Sequence, residues 1–137
     1  MNKELYRIKI NKKIVDIKQT DKEGEEIIIV LEDEKEIKIS AYHSQDCCEN
    51  VYAEFNVIKY QKEDIIGKEY KELVIKSVDE LGFILCFYRD WEESEKVFIP
   101  CYNEQNGYYS SELELIINYD GVKTKIDITE YVEDHIN

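Results

Sequence analysis

The chain has 137 residues, 43% hydrophobic and 36% charged, and 18 Lys and Arg against 31 Asp and Glu give a net charge of −13. That is about one domain's length, enough to bury a core without staples, and the apolar content argues against wholesale disorder. The negative field argues against direct nucleic-acid binding and anionic membrane surfaces, and it suits a partner with a basic surface. With one Pro, five Gly and no repeat or low-complexity tract, residues 1–137 are expected to form a single domain. The start, Met1-Asn2-Lys3-Glu4-Leu5, has no apolar signal region, and no apolar run approaches the roughly 20 residues that span a bilayer. A soluble, cytoplasmic protein is expected.

Residues 5–10 alternate as a short strand, and 14–17 form a second after a polar turn at Asn11-Lys12-Lys13. Ile27-Ile28-Ile29-Val30-Leu31 is short, β-branched and bounded by charge, as a strand buried on both faces would be. After a turn over 32–36, Ile37, Ile39 and Ala41 share one face, which aims His43 toward the core side or its rim. Residues 51–57 fit either a strand or a helical turn, and 62–67 read as a helical turn closed by Gly67. Strands follow at 73–75, 83–88 and 97–99, the last after an acidic loop at Trp91-Glu92-Glu93, with Pro100 marking an edge or a strand end. Leu113, Leu115, Ile117 and Tyr119 alternate, Asp120-Gly121 supplies a type I′ turn, and Val122, Thr124, Ile126 and Ile128 alternate back. A short helix is expected to open at Thr129. The fold class is therefore mainly β, a β-rich α+β arrangement. Antiparallel sheets form a sandwich or partly open barrel, with one or two short helical turns.

Chemistry-bearing residues concentrate in His43-Ser44-Gln45-Asp46-Cys47-Cys48-Glu49. His43 with Cys47 or Cys48, plus Asp46, Cys86 or Cys101, has the donor types for zinc. There is no CxxC pair, however, and neighbouring strand residues point to opposite faces, so neither a metal nor a cofactor is expected. A cysteine nucleophile with His43 as base meets the acidic field of Asp46, Glu49 and Glu54, which disfavours thiolate. No catalytic residues are expected. Cys47 and Cys48 would bridge each other only with strain, while Cys86 and Cys101 sit in apolar runs as small hydrophobes, so four reduced thiols are expected. No phosphate-binding glycine loop is present. The loop from Tyr102 to Tyr109 combines amides and aromatics around an Asn106-Gly107 turn.

The stretch His43-Ser44-Gln45-Asp46-Cys47-Cys48-Glu49-Asn50-Val51, then Ile66-Gly67, then Asn106-Gly107-Tyr108-Tyr109-Ser110, resembles an uncharacterised family of small phage and prophage proteins. The likeness spans about residues 27–115 and carries an H-x-Q-D-C-C-E-x-V … N-G-Y-Y-S signature. The resemblance implies one local constellation of His43, Gln45, Asp46, Cys47, Cys48 and Glu49 near Asn106, Tyr108 and Tyr109. Together with the acidity, it implies an inhibitor, anti-CRISPR-like, of a host defence or nucleic-acid-handling factor. This binder would work in the bacterial cytoplasm, more a binding protein than an enzyme. The expected partner-binding residues are the exposed carboxylate runs Glu32, Asp33, Glu34 and Asp90, Trp91, Glu92, Glu93. The alternative is a small-ligand or metal-binding protein, or a cysteine-dependent hydrolase, centred on His43 and Cys48. None of these fixes an oligomeric state.

Overall fold

A computed structural model describes residues 2–19, 26–43, 51–103 and 112–134. Its first strand, β1 (Glu4–Gln19), runs straight through the expected turn at Asn11-Lys12-Lys13. Asn11 takes a φ of 51°, and the pairing register shifts between Lys9 and Lys12 and again between Ile14 and Asp16. A bulge bends a strand without ending it, and Asn tolerates the left-handed region better than most residues. The bend lets Ile8 and Ile10 before it, and Ile14 and Ile17 after it, all reach the interior. β1 thereby serves two sheet halves, pairing with β5 (Glu69–Val78) through residues 4–13 and with β2 (Glu26–Leu31) through 14–19.

The remaining strands are β3 (Glu36–Tyr42), β4 (Val51–Ala53), β6 (Gly82–Arg89), β7 (Glu92–Asn103), β8 (Glu114–Tyr119), β9 (Val122–Asp127) and β10 (Glu133–Asp134). They form one hydrogen-bonded path, β10-β7-β6-β5-β1-β2-β3-β8-β9, with β4 also on β7. Every pairing is antiparallel except β10 with β7, a parallel contact of two residue pairs. The mainly β, antiparallel expectation holds, in the form of an open sheet folded over one core. Ile27, Ile29, Ile37, Ile39, Leu115 and Ile117 from one half share that core with Leu73, Ile75, Phe83, Leu85, Phe87, Val97 and Ile99 from the other. At about 1.5–3 kcal/mol for each fully buried aliphatic or Phe side chain, this shared core outweighs any single strand pairing. Tyr6 and Thr124 tie the halves at the rim through a 3.3 Å hydroxyl hydrogen bond.

Residues 51–57 take both readings, β4 and then a 3-10 helix, Phe55–Tyr60, begun where the Glu54 carboxylate accepts from the Asn56 N–H. Phe55 and Ile58 of that helix are buried, with Phe55 edge-on to Phe83. α1 (Lys62–Ile65) follows as the expected short helical turn, and a 3-10 turn, Thr129–Tyr131, stands where a terminal helix was expected. Two expectations need correction. Glu92 and Glu93 lie on β7, leaving only Asp90 and Trp91 in the turn, because Arg89 and Glu92 already pair across the hairpin. Pro100 lies inside β7 rather than at its end, and only the edge half of that expectation holds, because β4 pairs β7 no further than Cys101. The Cys101 N–H donates to Leu81 on the β6 flank and the Pro100 carbonyl accepts from the Glu54 N–H on the other. The proline's missing donor thus falls where β4 gives way to a loop.

Candidate functional site

Strand pairing decides where the two signature segments go. β3 ends with Tyr42 opposite Glu114 at the start of β8. β4 begins with Val51 opposite Asn103 at the end of β7. Residues 44–50 and 104–111 therefore connect the same two places in the fold, from opposite directions. The described residues that flank both segments stand at the paired ends of β3 with β8 and of β4 with β7. Gln45, Asp46, Cys47, Cys48, Glu49, Asn106, Tyr108 and Tyr109 lie outside the described residues.

His43 is described, and its alternation-based placement is right: it is 9% exposed, on the side of Ile37 and Ile39. Its Nδ1 bonds the Glu112 carbonyl, and because a carbonyl only accepts, that nitrogen carries the proton. The bond pins the exit of β3 to the entry of β8, a positioning role for the imidazole. Asn103, fully buried at the other anchor, holds the corresponding place on β7.

Beside the end of β3 lies an acidic hollow of about 290 Å³ lined by Tyr42, Glu112, Leu113, Glu114 and Asp127. Glu114 and Asp127 are direct cross-strand partners, and like charges placed so destabilise a sheet by a few tenths of a kcal/mol to about 1 kcal/mol. Among the described residues no cation pairs with either. Two donors from Thr129, its hydroxyl at 2.5 Å and its N–H at 2.9 Å, hold the Asp127 carboxyl below the usual range. Tyr42, 57% exposed, forms the apolar wall.

The expected carboxylate runs sit at the opposite end and differ in character. Glu32, Asp33 and Glu34 are exposed in the β2–β3 turn but laced with lysines. Lys12 meets Asp33 at 3.0 Å, Lys35 meets Asp120 at 3.0 Å, and the Lys13 N–H donates to Glu32. Lys12 lowers the Asp33 pKa by hydrogen bonding, so one of this run's three carboxylates is answered by a lysine within the protein. At the β6–β7 hairpin Asp90, Trp91, Glu92 and Glu93 are all exposed, Trp91 by 95%. Sequence reading missed what lies beside that indole, a groove of about 570 Å³ with Arg7, Lys9 and Lys71 on its walls. Alternation already put Arg7 and Lys9 opposite the core. Only the pairing of β1, β5 and β6 brings them to Trp91.

Cys86 and Cys101 are free and buried, and burial pushes both thiols up to about 12. Neither has thiolate character near neutral pH. Among the described residues no three His, Cys, Asp or Glu side chains converge as a metal would require. No described helix is long and apolar enough to cross a membrane.

Residues 8–115 match the family described as a domain of unknown function, DUF7448, and the chain belongs to that family. The match takes in both signature segments and ends at Leu115, within β8. No curated protein and no solved structure matches the chain significantly.

Proposed function

We propose that this member of the DUF7448 family is a phage- or prophage-encoded acidic binding protein. It occupies the basic surface of a host defence or nucleic-acid-handling factor in the bacterial cytoplasm, and so inhibits it. The observation that carries this reading is the acidic hollow. Glu112, Glu114 and Asp127 sit together around Tyr42 with no lysine or arginine among the described residues of the lining, beside His43, which opens the first signature segment. A Lys or Arg from a partner would relieve the Glu114–Asp127 repulsion and lie against the Tyr42 ring, gaining a charge-assisted contact and a cation–π contact together. The net charge of −13 would steer such a partner over longer range.

Capture from host lysate, identified by mass spectrometry, supplies the partner. Association kinetics with the purified partner then test the reading. Single rim charges contribute about 1 kcal/mol or less, so carboxylates are reversed in groups. Glu112→Lys with Glu114→Lys should slow association and flatten its salt dependence. A second group, Asp90, Glu92 and Glu93 to Lys, tests the opposite end. Reversing Glu32, Asp33 and Glu34 should do less, since Lys12 already answers Asp33. If all reversed variants keep full activity while a folded His43→Ala loses it, the acidic-binder reading fails.

A second reading places a small ligand or metal at the His43 and Cys48 segment, favoured by the shared anchoring of the two signatures. Stoichiometric metal in purified protein would support it, and turnover lost in Cys48→Ala would mark a hydrolase.

A further inference from the structure

The groove beside the β6–β7 hairpin gathers Arg7, Lys9 and Lys71 in a strongly acidic chain. Its floor is a cross-strand row on the outer face of the sheet, Lys9 on β1, Glu72 on β5 and Tyr88 on β6. Asn11, at the bulge where the β1–β5 register shifts, lines the head of this row. Arg7, Lys9 and Lys71 against Glu72 and Asp90 give the lining a balance of three minus two, +1, in a chain of −13.

The cations are not equivalent. Arg7 gives Nε and Nη2 donors to Glu4 and one Nη1 donor to Glu72. Of five guanidinium N–H groups, two remain for a ligand, and the carboxylates fix the plane in which they point. Lys9 and Lys71 have no ion pair or hydrogen bond among the described residues. Trp91 lines the same groove, 95% exposed at the tip of a two-residue turn in which Asp90 takes a φ of 57°. An indole held out at that angle adds nothing to the core, so packing does not explain it. It does offer a flat, unobstructed face beside two unanswered ammonium groups.

We propose that this groove binds a nucleotide, with its base stacked on Trp91 and its phosphates on Lys9, Lys71 and the free edge of Arg7. A ring without charge would leave the lysines unused, and inorganic phosphate would leave the indole unused. A ligand carrying both uses the whole surface. A long nucleic acid meets the field of the whole chain, whereas a mononucleotide meets mainly the local +1. This site is independent of the acidic hollow at the other end.

The chain's single tryptophan is the reporter. The full chain, excited at the red edge of the indole band, is titrated with ATP, adenosine, tripolyphosphate and a ten-residue oligothymidylate. ATP should quench saturably with a Kd below about 1 mM. Tripolyphosphate should compete without quenching, and adenosine should bind at least about tenfold more weakly. Lys9→Ala with Lys71→Ala should weaken ATP binding about tenfold or more, and Trp91→Ala should weaken it, read by calorimetry, to about the affinity of tripolyphosphate. Both variants change exposed side chains, and circular dichroism verifies that they fold. The proposal is overturned by the absence of saturable quenching or by adenosine binding as tightly as ATP. It is equally overturned by unchanged affinity in the lysine variant, or by the oligonucleotide binding more tightly than ATP.

Discussion

Gly82 opens β6 with a φ of +146°, opposite Pro100 on β7. A Cβ built there would lie 2.2 Å from the Ile99 carbonyl oxygen and 3.0 Å from both the Cys101 nitrogen and the Pro100 Cα. All three are backbone atoms, so no side chain can swing aside; β7 itself must move. A backbone held in a region reserved for glycine costs about 1–3 kcal/mol in any other residue. Overpacking a tight interior adds about 1–3 kcal/mol. Gly82→Ala should therefore lose about 4 kcal/mol, or about 15 °C in Tm at about 4 °C per kcal/mol for a chain of this size. Gly121→Ala is the control. Its φ is +79°, but nothing lies within 4 Å of its added Cβ, so only the backbone term of about 1–2 kcal/mol applies. Thermal and urea melts of the two variants beside the parent separate the terms. If Gly82→Ala melts within a few degrees of Gly121→Ala, the close approach of β6 to β7 is not as described. The consequence reaches the site, because the shifted stretch of β7 leads directly to Asn103, one of the anchors of the signature segments.

In the type I′ turn at Asp120-Gly121 both central residues have positive φ, so Gly121→Val, with a β-branched side chain, should melt below Gly121→Ala in the same assay. His43→Ala removes the donor to the Glu112 carbonyl and should lower stability by about 1–3 kcal/mol in urea; an unchanged midpoint would show that the tie is dispensable. Asp127→Ala should cost about 1 kcal/mol at neutral pH. Because the folded-state pKa of Asp127 is lowered by the Thr129 donors, its contribution is present above the unfolded value of about 3.9 and lost as pH falls through the folded value. The gap between parent and variant should therefore close in acid, and a gap constant down to strong acid would refute the assignment. All four thiols should react with a thiol reagent after denaturation, with no zinc released. In the native protein Cys86 and Cys101 should stay unreactive even as pH rises through the ordinary cysteine range, since both titrate near 12. Rapid native modification of either, read by mass spectrometry, would contradict their burial.

Features that depend on neighbours along the chain were legible from residue types. The Asp120-Gly121 hairpin needs only two residues that accept positive φ between alternating strands, and both adopt it. The inward aim of His43 follows from the period of two set by Ile37 and Ile39. Ile27, Ile28 and Ile29 are buried as their run implied, with Ile28 on the outer face opposite Lys38. Membership of an uncharacterised family was also legible.

Features that depend on which distant strands meet belonged to the tertiary structure. Asn11-Lys12-Lys13 has the composition of a turn, yet β1 passes through it as a bulge at Asn11, with Lys12 and Lys13 paired to β5. The lysines that answer Asp33 and Asp120 come from β1 and the β2–β3 turn, so a carboxylate run conspicuous in the sequence is partly neutral in the fold. Trp91 came to line a groove only once β1, β5 and β6 stood side by side, with Lys9 and Tyr88 separated by 79 positions in the chain. Local composition sets φ, alternation and turn type, whereas the burial of one shared core selects the long-range register, and it is register that puts charges and rings next to one another.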